Sequence, residues 1–262
     1  MSAVVIGGGL IHYEAFGRGA QSVVFIHGWL GSWRYWMRTM EALAPDYRTY
    51  ALDLWGFGDS DKSKERYSVD DYTSLICDFV DHLGIANASL VGHSLGAIIA
   101  LQVANREPYL ISRLATVSLP VTPQAINSRL RDFASSSVRA KMFWWRHISH
   151  KEVQNETEKA AEKAIALSVD SALEVDAQAL IDQGSQPTLV IYGKHDSVID
   201  PEPIDKLDGR RPSLRSIGLA DSRHFPMLEE ANKFNRLLRD FLEASDDLSG
   251  LTLKEEWKRR TR

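Results

Sequence analysis

Residues 88–104 read Ala88-Ser89-Leu90-Val91-Gly92-His93-Ser94-Leu95-Gly96-Ala97-Ile98-Ile99-Ala100-Leu101-Gln102-Val103-Ala104. Ala88–Val91 has the character of a strand buried on both faces of a parallel sheet, and Ala97–Ala104 that of an apolar helix. Between them stands Gly92-His93-Ser94-Leu95-Gly96, a G-x-S-x-G pattern in the strand–turn–helix context the pattern requires. The strand has to turn sharply into the helix, so side chains at the flanking positions would collide and glycine is needed there. Such a turn strains the serine backbone and lifts its hydroxyl above the carboxyl edge of the sheet. It also aims the positive helix N-terminus, starting near Leu95, at an anion formed there. The plainer alternative is a strand–helix turn carrying an incidental serine.

Upstream, Ala3–Ile6 and Leu10–Phe16 flank Gly7-Gly8-Gly9 and predict a hairpin. Val23–Ile26 and Thr49–Leu52 are further buried-type strands. A helix is expected from Ser32 to Ala44, with Ser32 as N-cap and Pro45 beyond its end. Another is expected from Val69 to Leu83, with Asp70 as cap and Gly84 as stop. Downstream come a strand at Leu114–Leu119, then helical patterns through residues 120–186, including Ala125–Phe143 and Thr157–Leu167. Strand-type runs resume at Thr188–Tyr192 and Leu214–Leu219, and an amphipathic helix covers Glu229–Leu242. This order predicts an α/β fold. A mostly parallel central sheet flanked by helices (1–119 and 187–246) would carry a helical cap, 120–186, inserted between its later strands.

The chain has 262 residues, 31 basic against 35 acidic side chains, and one cysteine. That balance disfavours nucleic acid as the main partner, which needs clustered positive charge. Cys77 alone forms no intrachain disulfide and fits a reducing compartment. Met1–Gly9 lacks a charged leader, and no apolar stretch approaches the roughly eighteen residues of a membrane helix. The expectation is a soluble cytoplasmic protein with no membrane partner. The end of the chain, residues 247–262, is a basic tail in which Lys254, Lys258, Arg259, Arg260 and Arg262 stand against Glu255 and Glu256, and it reads as a solvated terminus or as a dock for an acidic partner.

A serine hydroxyl needs a base, and the base needs an orienting acid. In a strand-ordered α/β site these follow the serine as acid and then histidine. His224 lies in the loop after the Leu214–Leu219 strand, and Asp196 in the loop after Thr188–Tyr192, so both sit on the carboxyl edge with Ser94. His195 precedes Asp196 and breaks that order; Asp200 reads as a helix-start residue beside Pro201. Two N–H donors are also required for a developing oxyanion. Leu95, after the serine, supplies one, and Trp29, in His27-Gly28-Trp29 after the Val23–Ile26 strand, supplies the other. His27 is expected to brace that loop by hydrogen bonds.

The stretches Val24-Phe25-Ile26-His27-Gly28-Trp29, Asp53-Leu54-Trp55-Gly56-Phe57-Gly58-Asp59-Ser60, Val91–Gly96, Gly193-Lys194-His195-Asp196 and His224-Phe225-Pro226-Met227-Leu228-Glu229-Glu230 occur in order across residues 4–244. With them the sequence resembles the α/β-hydrolase superfamily, in its compact cap-bearing, esterase-like branch. The resemblance implies Ser94 as nucleophile, Asp196 as acid and His224 as base, and a structural role for the Asp53–Ser60 loop. Relatives that cleave epoxides or carbon–halogen bonds carry aspartate at the nucleophile position, where this chain has Ser94. The relatives that place the acid after the preceding strand find no counterpart in Leu119-Pro120-Val121.

The aromatic-rich cap and first loop suggest an apolar acyl pocket, with Leu30, Trp33, Phe133, Phe143, Trp144, Val198 and Phe225 as candidate walls. The same aromatics, with Trp145, also suit simple packing of cap on core. His147 and His150, three apart, are too few for a zinc site, and Gly7-Gly8-Gly9 does not extend to a dinucleotide fingerprint. The expected function is hydrolysis of a small or medium carboxylic ester, with water as co-substrate and neither cofactor nor metal. A lactone, a thioester or a carbon–carbon bond next to a ketone are alternatives for the same three residues. So is a ligand receptor built on this scaffold.

Overall fold

The computed structural model describes residues 2–63, 65–133, 136, 139, 141–144 and 150–254, the side chain of Phe133 excepted. Eight strands build one sheet: β1 Ser2–Ile6, β2 Gly9–Phe16, β3 Gln21–Ile26, β4 Tyr47–Leu52, β5 Ala88–His93, β6 Ile111–Val117, β7 Thr188–Gly193 and β8 Leu214–Leu219. Their order is β1-β2-β4-β3-β5-β6-β7-β8. The first two strands run antiparallel, through Val5↔Leu10 and Tyr13↔Leu52, and every later pairing is parallel. The two-residue turn between β1 and β2 has Gly7 and Gly8 at φ +54° and +77°, the left-handed pair a twisted hairpin favours.

Parallel strands need crossovers, and helices supply them. α1 (Met37–Leu43) joins β3 to β4, α2 (Val69–His82) joins β4 to β5, and α3 (Leu95–Arg106) joins β5 to β6. Because β3 lies between β4 and β5, the chain reverses its direction of travel there, and a crevice opens at the carboxyl ends of these strands. Val23, Val24, Phe25 and Ile26 are all fully buried, as a strand covered on both faces requires.

The helix expected to start at Ser32 opens as a 3-10 turn, Trp33–Trp36, with the Ser32 side chain accepting the Arg34 N–H. The cap of α2 is Ser68, not Asp70. The Ser68 hydroxyl accepts the Asp71 N–H at 3.0 Å, and the Asp71 carboxylate accepts the Ser68 N–H at 3.1 Å, a reciprocal box that Asp70 is placed too late to form. Gly84 (φ +61°) ends that helix as expected.

The segment between β6 and β7 is helical but more broken than its pattern predicts. Pro123–Ala125 is a single 3-10 turn, Ile126 makes an antiparallel bridge to Ile199, and α4 spans only Ser128–Phe133. α5 (Lys151–Thr157), α6 (Glu162–Leu173) and α7 (Ala177–Gln183) follow. The expected helix Thr157–Leu167 is interrupted because Ala161 donates its N–H to the Gly56 carbonyl at 2.8 Å instead of continuing the helical ladder. After the short α8 (Glu202–Asp205), the terminal helix is likewise divided into α9 (Pro226–Glu229) and α10 (Ala231–Glu243). Glu230, at the break, turns its carboxylate back to the Asp221 N–H and the Ser222 hydroxyl. Among the described residues no helix is long and apolar enough to cross a membrane.

Candidate active site

Ser94 follows β5 with φ +53° and ψ −112°, a conformation that a residue with a side chain adopts only when its surroundings impose it. Three contacts impose it here. The Ser94 N–H is held by the Val117 carbonyl at 2.8 Å, and its carbonyl accepts Ala97 and Ile98 at the start of α3. A Cβ on Gly92 would run into the Gly96 carbonyl, and one on Gly96 into the carbonyls of Ile26 and His27. Leu95 is the first residue of α3, so its N–H has no acceptor within the helix.

Asp196 follows β7. One carboxylate oxygen accepts the Val198 and Ile199 N–H groups at 2.8 and 3.0 Å; the other faces His224 Nδ1 at 2.8 Å. With the Asp196 side chain 1% exposed and that of His224 3% exposed, the pair is shut off from water. A carboxylate accepts only, so Nδ1 carries the proton and Nε2 presents its lone pair. His224 Nε2 is buried and has no hydrogen-bond partner. His195 is exposed, and Asp200 accepts the Glu202 N–H at 3.0 Å at the start of α8; neither joins the pair.

The first loop is braced from several sides. His27 Nδ1 lies 2.7 Å from the Gly28 carbonyl, while its Nε2 accepts the Leu54 N–H at 2.9 Å. Burial pushes its pKa below the ordinary histidine value, so His27 is a neutral brace. A Cβ on Gly28 would press on the His93 ring at 2.6 Å and crowd Ser94 Cβ at 3.1 Å, so glycine lets the backbone at Gly28 pass close against the Ser94 turn.

A narrow cavity opens at Ser94. Its core side is Trp29, Leu95, Ile98 and Ile199; its other side comes from the inserted segment through Pro120, Ile126, Leu130, Trp144, Ser168, Val169 and Ala172. Trp144 also stands edge-on to the His224 ring, with centroids 5.6 Å apart.

His12, Asp53 and Asp59 form a group with metal-ligand atoms within 4.8 Å of one another. The two carboxylates are already engaged. Asp53 accepts the Trp33 and Asp59 N–H groups and faces His12 Nδ1 at 3.2 Å; Asp59 is bound by Arg34 at 2.8 Å and Lys159 at 2.9 Å. Ser60 donates to the Asp53 carbonyl and accepts the His12 N–H. The group is a cross-link of β2 to the loop after β4, in keeping with a structural role for Asp53 and Ser60. His150 lies 3.9 Å from Glu229, while His147 falls outside the described residues.

A family model for the alpha/beta hydrolase fold matches residues 21–146. An enol-lactonase from Burkholderia xenovorans superposes with a TM-score of 0.79 over 93% of this chain and 100% of its own, at 21% identity. The chain has the α/β-hydrolase fold. Among curated proteins, this chain is 28% identical to a pimeloyl-[acyl-carrier protein] methyl ester esterase of Aeromonas hydrophila, over 88% of this chain and 99% of that one. It is 26% identical to the dihydrolipoyllysine-residue acetyltransferase component of an acetoin cleaving system from Pseudomonas putida, covering 90% of this chain and 68% of that longer protein.

The walls of the cavity at Ser94 differ from those expected. Of the proposed wall residues, Trp144 lines it among the described side chains. Trp33, tied by its N–H to Asp53, packs instead on His12 at 6.1 Å. Leu30 is wholly buried within the first loop at φ +57°. Phe143 is part of the packed core. Phe225 fills the space between the rings of Tyr35, His93 and His224 at 5.7, 4.8 and 5.1 Å. Val198 faces a separate polar cavity of about 410 Å³ with Asn127 and Arg131. The Phe133 side chain and Trp145 lie outside the described residues. Ile98, Pro120, Ile199, Ser168, Val169 and Ala172 were not expected at the cavity. The last three repeat at helical spacing on α6, and that periodicity is the one signal that marks them.

Proposed function

We propose that this chain is a serine hydrolase that cleaves small to medium carboxylic esters through an acyl-enzyme. The observation that carries the reading is the 2.8 Å contact of His224 Nδ1 with Asp196, which leaves Nε2 as a buried, unpartnered lone pair on the sheet edge where Ser94 turns. In this reading Nε2 takes the Ser94 hydroxyl proton as Oγ bonds to the ester carbon. The carbonyl electron pair moves onto oxygen, between the N–H groups of Trp29 and Leu95. The tetrahedral adduct collapses and the alcohol leaves with the proton from His224. Water, deprotonated by the same nitrogen, then releases the acid.

The apolar lining favours an apolar acyl group, and residues 120–186 act as a cap that keeps bulk water from it. The esterase named among the relatives supports an ester over the other substrates that these three residues can serve. A p-nitrophenyl ester series from acetate to palmitate tests the proposal. Turnover is expected, with Ser94→Ala lowering kcat about 10⁴-fold or more and abolishing labelling by a fluorophosphonate. Turnover that survives in Ser94→Ala would sink the assignment. Absence of both turnover and labelling in the parent protein would favour a ligand receptor.

A further inference from the structure

The G-x-S-x-G pattern leaves its second residue free, and here that residue is histidine. His93 is fully buried behind Ser94 and does not line the cavity. Its Nε2 lies 2.8 Å from the carbonyl oxygen of His224, and its Nδ1 lies 3.3 Å from the hydroxyl of Tyr35. That hydroxyl in turn accepts the N–H of Gly28, the residue before Trp29. The direction of each proton follows. The His224 carbonyl only accepts, so His93 must carry its hydrogen on Nε2. Nδ1 is then an acceptor, and the Tyr35 hydroxyl donates to it while receiving the Gly28 N–H. Burial keeps the Tyr35 hydroxyl protonated and His93 neutral, and every donor in the chain has an acceptor. A second donor, Ser118 Oγ, reaches the same His224 carbonyl at 3.2 Å.

We infer that Tyr35 and His93 are positioning residues: the chain Gly28 N–H, Tyr35 O–H, His93 Nε2–H fixes the His224 backbone relative to the loop carrying Trp29. This rests on the proposed catalytic roles of His224 and Trp29. Neither Tyr35 nor His93 touches the reacting atoms. The chain joins, through three hydrogen bonds, the group that moves protons and the loop that would hold the oxyanion. A proton-transfer base displaced by a fraction of an ångström loses rate far more readily than binding. Leu95, the other proposed donor, follows Ser94 directly and needs no such tether.

The test compares His93→Leu, His93→Gln and Tyr35→Phe with the parent protein, in the full chain. A glutamine amide places a donor near the position of Nε2; leucine places none. Relative to the parent, His93→Leu and Tyr35→Phe are expected to lower kcat about 10- to 100-fold with KM within about twofold, and His93→Gln to recover much of kcat. The proton on His224 Nδ1, read by NMR in the absence of substrate, is expected to shift or exchange faster in His93→Leu and to return toward its parental position in His93→Gln. Melting of each variant shows that it is folded, and Tyr35→Phe provides a second probe if His93→Leu does not fold. An unchanged kcat and an unchanged Nδ1 proton in folded Tyr35→Phe and His93→Leu would overturn the inference, as would equal losses in His93→Leu and His93→Gln. The NMR arm needs no turnover, so failure of the esterase reading is distinguished by absent fluorophosphonate labelling of Ser94 in the parent protein.

Discussion

Asp196 holds three hydrogen-bond donors within 3.0 Å while both it and His224 are sealed from water. The carboxylate is therefore anchored by backbone, and on the proposed mechanism its remaining task is to choose which nitrogen of His224 carries the proton. Asp196→Asn tests this at the residue scale. The amide still fits the space but presents N–H groups as well as an oxygen, so His224 can turn its lone pair toward it and place its proton on Nε2. On the proposed mechanism kcat falls about 10⁴-fold, with little change in folding cooperativity. A loss below tenfold, in single-turnover assays with p-nitrophenyl acetate, would show that the tautomer does not limit the reaction. These residues were legible in the sequence because each follows a recognisable strand. Tyr35 and His93 were not, since their roles depend on a contact across 131 residues, from His93 to His224, that periodicity does not encode.

The inserted segment is where local pattern failed, and the failures have tertiary causes. Ala125–Phe143 reads as one helix, but Ile126 pairs with Ile199 as a bridge and Asn127 bonds the loop after β7. The segment is docked to the core by a cluster of alternating charge. Arg34 contacts Asp59 and Glu156, and Lys159 contacts both of the same carboxylates. Burial alone would raise the Asp59 carboxyl, but hydrogen bonds from Lys159 and Arg34 outweigh it and hold it at about 2. The folded value is below the ordinary 3.8, so the contribution is complete above pH 3.8 and disappears as pH falls through the folded value. Asp59→Asn is expected to cost on the order of 1 kcal/mol at neutral pH, given its partial exposure. The gap from the parent, followed by urea unfolding, should narrow between about pH 4 and pH 2. Trp144→Ala acts at the same element in another way. It removes the ring that covers both the cavity and His224, so the preferred ester should become longer in the p-nitrophenyl series. An unchanged chain-length profile would show that the cavity beside Trp144 does not hold the acyl group.

At the scale of the whole molecule, two buried imidazoles govern the response to mild acid. Burial pushes both His27 and His93 below the ordinary histidine value, and the hydrogen bonds of each ring require it to be neutral. When the chain unfolds both rings regain ordinary basicity, so below about pH 6.5 the unfolded state binds two protons that the fold refuses. Stability must therefore fall as pH drops below that point, with a limiting slope of about 1.4 kcal/mol per pH unit for each ring. His12 works on the other side. Its hydrogen bond to Asp53 raises it, against burial, so its contribution is complete below pH 6.5 and is lost as pH rises through its folded value. The two opposing trends leave the fold most stable near neutrality, before the carboxylates begin to titrate. His93→Gln separates the terms, because it removes one titrating ring and keeps a donor for the His224 carbonyl. Urea unfolding between pH 7 and pH 5 should give the variant a shallower acid slope than the parent, by about one proton. Equal slopes would mean that His93 gains no proton on unfolding, and the neutral ring that links Tyr35 to His224 would have to be abandoned.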